Sequence, residues 1–449
     1  MRFLNFLLVL CFGVCLSSSL DEEVYNVRAY RSKGKFPKPD DFPETKNIEL
    51  MKRKNIGIAF TGGGSRSYLA SAGQMAALLE LDLIKNIRYI SGISGGAWFT
   101  MMYTFNQNGA SDSELLGPIV NPEDITRKGL KKMNEKCMRR ATKGTFLPEM
   151  FEKALSEKIT FGEAWIDAVQ DTYCSNLNIK TNQPVAWSQE NVDDIKSRNP
   201  QLANQDFTLP TNSQRPFPVV GSTMIGPAVG GPYYKSNRNF TMMEMTPLYM
   251  GSMFSEEIEY KYAHDDTNHP VTVGGVVEPF GMSRTSTKPP INGLSSGATE
   301  GVISVPKFSP TSVWDVAHMA GSSGYAPGAF FDTLPQKILE DTSLHASYWS
   351  AADKNPTSRD TLFADGGCYE NILVTSMLQR RVEKLVLFFN VHTPLQPASS
   401  WDVKNDPPSK TQIARDVGAF FGVEPEDYRE WQKRGFDISH NQVWPSDQW

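Results

Sequence analysis

Ser94 is the residue whose surroundings are most typical of a nucleophile. It lies between Gly92 and Gly96, directly after the apolar segment 87–90, in the run Gly-Ile-Ser-Gly-Gly. A strand that ends in a glycine-flanked serine and leads into a helix exposes the hydroxyl, because small neighbours permit the sharp turn. The helix start also supplies backbone N–H groups that can donate to an oxyanion. The pattern predicts acyl-transfer chemistry, although a glycine-rich connection without any chemistry has the same pattern.

A second glycine block could stabilise negative charge near that serine. Gly62, Gly63 and Gly64 follow the apolar strand predicted at 56–60 and precede Arg66. Successive glycine N–H groups can point into one cavity and favour an anion there. Neither the spacing of a dinucleotide fingerprint nor the lysine of a nucleotide-binding P-loop is present. Arg66 adds a permanent charge able to hold a phosphate or carboxylate through two hydrogen bonds. The alternative is an ordinary tight turn beside a surface arginine.

The two blocks together resemble the catalytic core of the cytosolic phospholipase A2 and fungal phospholipase B (lysophospholipase) family, relatives of the patatin-like acyl hydrolases. Further segments agree in the same order: Met243–Gly251, Glu278–Met282, Asp365–Ile372 and Val382–Asn390. Each block is weak alone, but their joint order over about residues 55–394 is specific.

The resemblance implies a serine-aspartate pair. Asp365 begins an Asp-Gly-Gly motif at which family members have an aspartate that contacts the serine, whereas spacing alone would favour a turn-forming aspartate. Ser94 would attack an ester carbonyl, Asp365 would take its proton, and the N–H groups of Gly63 and Gly64 would hold the oxyanion. By similarity, Arg66 would orient the substrate phosphate. No cofactor and no metal are implied.

The elements that must position these residues predict an α/β fold. We expect a mostly parallel central sheet flanked by helices, patatin-like, with lid insertions. Residues 1–19 are predicted to be a signal peptide and 20–449 a single catalytic domain with its core at about 55–395. The polar connections 175–218 and 283–312 are candidate lids or surface insertions, and 21–45 is expected to be an extended arm over the domain.

Composition limits the partners. The 449-residue chain has a formal net charge of −5 and a pI near 5.8. This balance argues against nucleic acid and against strong attraction to anionic membranes. The expected partners are a phospholipid or lysophospholipid substrate and a peripheral membrane or micelle surface, reached through apolar contacts and local basic sites.

The N-terminal pattern predicts export. Arg2, the apolar run 3–16 and the small residues 17–19 are typical of a secretory signal peptide, which favours a secreted or lysosomal-type compartment. Asn239 begins an Asn-Phe-Thr glycosylation acceptor.

Export to an oxidising compartment would permit a disulfide bond between cysteines. Cys137 and Cys174 are a possible disulfide in an exported protein, and Cys368 is expected to be a buried free thiol. No cysteine or histidine spacing indicates a metal site.

Other activities remain open at this level. An ordinary α/β-hydrolase would need a histidine, and Ser94, Asp365 and His392 follow its triad order, with His318 a weaker candidate. A transacylase would use every residue named above. A storage or lipid-binding protein would keep the fold without the reaction.

Overall fold

A computed structural model describes most of the chain. The described residues are 23–34, 36–121, 123, 125–143, 146–157, 159–228, 240–261, 268–328, 343–391, 393, 396–397, 399, 409 and 411–420. The predicted signal peptide, Asn239 and His392 lie outside them.

Eleven strands are present in the described residues. They are β1 Val24–Tyr30, β2 Ile56–Phe60, β3 Tyr89–Gly92, β4 Phe217–Pro227, β5 Thr241–Met245, β6 Met250–Lys261, β7 Asn268–Val277, β8 Glu300–Pro306, β9 Leu344–Tyr348, β10 Arg359–Ala364 and β11 Lys384–Phe388.

The α-helices of the same part of the chain are mostly short. They are α1 Ile48–Met51, α2 Gly64–Glu80, α3 Gly95–Phe105, α4 Asp112–Leu116, α5 Arg127–Lys132, α6 Phe146–Glu157, α7 Phe161–Val169, α8 Gln189–Arg198, α9 Val316–Ser323, α10 Val374–Gln379 and α11 Arg415–Phe420. None of the described helices has the length and apolar character needed to cross a bilayer.

All described strands join one sheet. Its order is β11-β2-β3-β4-β5-β6-β7-β1-β8, with β10 also paired to β4 and β9 paired to β10. The α/β class is confirmed. The parallel ladders are the three between β11, β2, β3 and β4, whereas the remaining described ladders are antiparallel. The expectation of a parallel sheet therefore holds for the strands around the candidate site, because only these are joined by the helical crossovers that parallel pairing requires.

The central strands are buried on both faces. Ile90 and Val220 point into the cluster formed by α2, α3, α7 and α9, while their neighbours Tyr89 and Val219 point into a second cluster with α1 and α10. This alternation follows from the two-residue period of a strand. The prediction that residues 382–391 form a buried strand is only partly correct, because β11 pairs with β2 alone in the described residues and leaves Val386 41 % exposed.

Two segments differ from their sequence interpretation. The first part of the predicted arm is β1, which lies between β7 and β8 and buries Val27. The alternation of polar and apolar residues in this strand was masked by its polar flanks. The two polar connections are also not structureless, since they contain α8 and β8, respectively.

The possible disulfide is wrong in this structure, where Cys137 and Cys174 are separate buried free thiols. The Cys174 sulfur lies 3.6 Å from that of Met102, and the Cys137 sulfur lies 3.9 Å from that of Met133. Each thiol packs as a small apolar side chain, and burial raises the pKa of Cys174. A cysteine count contains no information on such packing. Cys368, which was expected to be buried, is only partly buried.

Candidate active site

The parallel strands bring the two glycine blocks side by side. Phe60 at the end of β2 is paired with Gly92 at the end of β3, so the chain leaves both strands at the same level. Ser94 lies in the turn before α3 with φ 52° and ψ −122°, outside the regions that a serine ordinarily occupies, and it is 6 % exposed. Strain of this kind is characteristic of a nucleophile turn. The structure thus has the predicted strand, turn and helix.

The Gly62–Gly64 loop passes directly over the start of α3. A Cβ added to Gly95 would collide with the carbonyl oxygen of Gly64 and lie 2.9 Å from its nitrogen, so only glycine fits at this approach. Gly63 and Gly64 have φ values of 133° and 60°, which glycine adopts readily. Within the described residues their N–H groups have no hydrogen-bond acceptor. Two available donors therefore lie at the N-terminus of α2, close to the turn that carries Ser94.

Asp365 reaches the same place from another strand. β4 pairs with β3 on one side and with β10 on the other, and Asp365 directly follows β10. The Ser94 hydroxyl lies near enough to the Asp365 carboxyl to lower its pKa. That carboxylate accepts the N–H of Gly367 at 2.8 Å. Burial raises the pKa of Asp365 to about 6, although the Gly367 N–H and the Ser94 hydroxyl lower it.

Several uncharged residues hold the Asp365 turn in place. The Asp365 N–H donates to the Tyr325 carbonyl at 2.9 Å, and the Thr223 hydroxyl donates to the Asp365 carbonyl at 2.9 Å. Ser222 donates to the Ala364 carbonyl at 3.1 Å. The carboxylate is therefore fixed by its own backbone and by β4, which leaves it pre-positioned against Ser94.

Sequence reasoning missed two residues at the site. Ser323, at the end of α9, accepts the Ser94 N–H at 3.0 Å. The backbone carbonyl oxygen of Asn371 accepts the Gly62 N–H at 2.9 Å, and the Asn371 side-chain amide donates to the Asp416 carboxylate at 2.6 Å. Asn371 lies within the Asp365–Ile372 segment that carries the family resemblance, and this position is the sequence signal for it. Ser323 lies in a run of small residues in which no pattern indicated a role.

His318 and His345 are engaged away from Ser94. His318 Nδ1 lies 2.6 Å from an oxygen of Asp315, and His345 Nδ1 lies 3.0 Å from an oxygen of Asp360. In the described residues, no hydrogen bond joins either ring to Ser94. His392 is outside the described residues, so its part in a triad stays a prediction.

Arg66 lies in the first turn of α2, two residues after Gly64, and its side chain is exposed. A permanent cation is therefore located near the glycine loop and accessible to solvent. Within the described part of the chain, no group of three or more His, Cys, Asp or Glu side chains is arranged to hold a metal ion.

Comparison with known families agrees with this arrangement. The model of the family described as "Patatin-like phospholipase" matches residues 58–378, more than half of the chain. The chain belongs to the patatin-like phospholipase family. The matched range includes both glycine blocks and the Asp365 motif.

Individual relatives match over shorter stretches. Cytosolic phospholipase A2 gamma of Mus musculus is 32 % identical over 97 residues, which cover 21 % of this chain and 16 % of that protein. Cytosolic phospholipase A2 delta of Homo sapiens is 41 % identical over 64 residues, 14 % of this chain and 8 % of that protein. Lysophospholipase 2 of Saccharomyces cerevisiae is 27 % identical over 218 residues, 44 % of this chain and 27 % of that protein. In each case the match covers less than a third of the relative's length.

Solved structures give a weaker likeness. Human GIVD cytosolic phospholipase A2 superposes with a TM-score of 0.36 at 15 % identity, over 74 % of this chain and 42 % of the other. A structure of VipD from Legionella pneumophila gives a TM-score of 0.22 at 11 % identity, over 70 % of this chain and 46 % of the other.

Proposed function

We propose that this protein is a serine acyl hydrolase that cleaves fatty-acyl esters of phospholipids or lysophospholipids through an acyl-serine intermediate. The observation that carries the proposal is the placement of the strained, buried Ser94 beside both the buried Asp365 carboxyl and the Gly62–Gly64 loop. Family membership supports a lipid ester as the substrate.

The reaction has two steps. Ser94 Oγ attacks the ester carbonyl carbon while its proton moves to the Asp365 carboxylate. The tetrahedral intermediate then collapses, the ester C–O bond breaks, and the departing alcohol takes the proton from Asp365. In the second step water attacks the acyl-serine with Asp365 again as the base, which releases the fatty acid and restores Ser94.

The backbone supplies the remaining stabilisation. The N–H groups of Gly63 and Gly64 donate to the oxyanion at the positive end of α2. A carboxyl group whose pKa is about 6 is a stronger base than an ordinary aspartate and still ionised at neutral pH. Arg66 binds the substrate phosphate, because its planar guanidinium offers two parallel donors.

The test compares variants of the full chain on one lysophospholipid. Ser94→Ala and Asp365→Asn should each lower kcat/KM on the order of 10³-fold or more without unfolding the protein. His318→Ala should remain within about tenfold of the wild type, a change of ~1.4 kcal/mol in the barrier. Ser71→Ala is a matched control, since this buried hydroxyl on α2 has no partner in the described residues.

Two results would overturn the proposal. Normal turnover by purified Ser94→Ala would exclude Ser94 as the nucleophile. Loss of activity in a folded His392→Ala variant comparable to that of Ser94→Ala would replace the direct serine-aspartate pair by a triad. A fluorophosphonate probe that labels the wild type but not Ser94→Ala would exclude a storage protein.

We also propose that the chain enters the secretory route and is glycosylated at Asn239. The support is the sequence pattern of residues 1–19 and the acceptor motif. Expression in a eukaryotic cell should yield a processed N-terminus and a decrease in mass after glycosidase treatment, which Asn239→Gln should abolish. Unprocessed protein in the cytosol would contradict this compartment.

A further inference from the structure

One surface of this acidic protein is strongly basic. The segment 125–140 contains seven Lys or Arg residues and one Glu, whereas the whole chain has a net charge of −5. The helix α5 lies within it, and Leu130 is its one buried residue. Four cations of α5 are exposed: Arg127, Lys128, Lys131 and Lys132.

In the described part of the chain, these four cations lack carboxylate partners, unlike several other exposed lysines. In the described residues none of them has a carboxylate within ion-pair distance, while Lys52 pairs with Glu49 at 2.6 Å and Lys85 pairs with Asp82. Unpaired like charges on one short helix repel each other, since neighbours at i, i+3 and i, i+4 lie on one side. An anionic partner would relieve this repulsion and be attracted by the combined charge.

The arginines that follow α5 have a different role. Arg139 is buried and donates to the carbonyls of Leu116, at 2.6 Å, and Pro118. Arg140 donates to the carbonyls of Lys131 and Met133, at 2.7 Å and 2.8 Å. Two consecutive residues thus hold the segment around Pro118 and the end of α5 against the same turn.

Apolar side chains accompany the cations. Ile119 is 51 % exposed, directly after the segment held by Arg139, and Ile125 is 42 % exposed, two residues before Arg127. Exposed isoleucines beside unpaired cations are the combination that binds an anionic lipid interface, because apolar side chains enter the headgroup region while cations meet phosphate. Nucleic acid would use the cations but leave the isoleucines in water. Among the described residues of 119–140 the exposed acids are Glu123 and Glu135, and Glu135 lies 3.8 Å from Arg140.

The turn that follows α5 is connected to the candidate active site. Tyr68 on α2 donates to the carbonyl of Met138 at 3.1 Å. Tyr68 follows Gly64 by four residues, so this contact lies about 6 Å along α2 from the glycine loop. The turn next to α5 therefore contacts the helix whose N-terminus holds the proposed oxyanion donors.

We propose that Arg127, Lys128, Lys131 and Lys132, with Ile119 and Ile125, form a docking surface for membranes that contain anionic phospholipids. This proposal rests on the proposed function for its purpose, delivery of the enzyme to its substrate, but the binding itself requires no catalysis. It also identifies the local basic site that an acidic protein needs in order to bind such a membrane.

The test measures flotation of the full chain with ether-linked phospholipid vesicles, which have no ester to hydrolyse. Wild type should bind phosphatidylcholine vesicles that contain phosphatidylserine, and salt should weaken this binding. The triple variant Lys128→Gln, Lys131→Gln, Lys132→Gln should bind about a hundredfold more weakly, since each cation contributes about fivefold. Ile125→Ser should weaken binding further.

The control is Lys52→Gln, Lys85→Gln, Lys307→Gln, which removes three exposed lysines that do pair with carboxylates. It should bind vesicles like the wild type, and both triple variants should hydrolyse a soluble ester at the wild-type rate. Equal losses in the two triple variants, absence of wild-type binding, equal binding to pure phosphatidylcholine, or binding to duplex DNA but not to vesicles would each overturn the docking surface. Failure of the proposed function would instead appear as no ester hydrolysis with vesicle binding unchanged.

Discussion

The sheet has a parallel part, β11, β2, β3 and β4, and an antiparallel part, β5 to β8. The two parts contact neighbouring segments through different kinds of interaction. In the parallel part, β2 and β3 end level in glycine turns, and contacts there are backbone against backbone. In the antiparallel part, charged side chains join β5 to the helix α10 and the N-terminal segment. Arg380, directly after α10, is bound by Glu244 of β5 at 2.7 Å and by Glu44 at 2.8 Å.

The two regions differ in function: the glycine turns supply groups for a reaction, whereas the Arg380 cluster stabilises the fold. The glycine turns leave N–H groups and a strained serine available, which is useful for reaction and costly for stability. The Arg380 cluster leaves few groups available, since Arg380 also donates to the Ser376 carbonyl and lies 4.1 Å above the Phe42 ring. Its pKa is raised well above the ordinary value by Glu244, Tyr249 and Glu44, despite burial that lowers it. We expect substitutions in the first region to affect turnover most and those in the second to affect stability most.

Arg380→Met should have the largest effect on stability. It would leave Glu44 and Glu244 buried without their cation, and breaking such a pair costs about 3–5 kcal/mol in the free energy of unfolding. Urea denaturation would measure the loss, with Lys52→Met at an exposed pair as the control, expected within about 1 kcal/mol of wild type. If the folded Arg380→Met protein also had a greatly reduced kcat/KM, the two regions would not be separable.

Gly95→Ala should affect both quantities. The new Cβ would lie 2.8 Å from the Gly64 carbonyl carbon, so the glycine loop must shift. We expect a loss of about 1–3 kcal/mol in stability and a decrease of about a hundredfold in kcat/KM.

Gly73→Ala is the matched control for that substitution, because a Cβ there meets nothing within 4 Å in the middle of α2. It should stabilise the protein by about 0.5–1 kcal/mol and leave turnover unchanged. Similar behaviour of the two variants would mean that the close approach of Gly64 to Gly95 has no part in the site.

The pH dependence tests Asp365. Because its pKa is raised to about 6 in the folded protein, kcat/KM should rise with pH and level off above about 6, where the carboxylate is ionised. A raised carboxyl pKa contributes stability that is present below the unfolded value and lost as pH rises through about 6. Asp365→Asn should therefore be inactive yet more stable than the wild type at pH 8, by about 3 kcal/mol, and the difference should diminish at pH 4. A flat kcat/KM between pH 5 and pH 8, or no stability gain in the variant at pH 8, would contradict the role of burial.

Arg66→Lys should have the smallest effect. Lysine keeps the charge but loses the two parallel donors, so hydrolysis of a phospholipid should decrease by about tenfold while that of a small neutral ester is unchanged. Equal losses on both substrates would assign Arg66 to the structure of the glycine loop, and no loss on either would make it a surface residue.

The sequence by itself determined the local parts of the site. The strand-like runs at 56–60 and 87–90, each followed by glycines and a helical segment, predicted β2, β3 and the two turns, because glycine and apolar period are local signals. The resemblance added Asp365, which spacing alone had favoured as a turn residue. The positions of Gly63, Gly64 and Ser94 on these turns agree with that prediction.

Only the tertiary structure decided which distant groups meet. Asp365 approaches Ser94 because β4 pairs with both β3 and β10, and no local pattern encodes that pairing. The same holds for β1 within the sheet, whose polar sequence suggested an extended arm over the domain, and for the contact of Glu44 with Arg380. A residue type and its neighbours specify backbone conformation, whereas contacts between segments far apart in the chain depend on packing and register across the whole sheet.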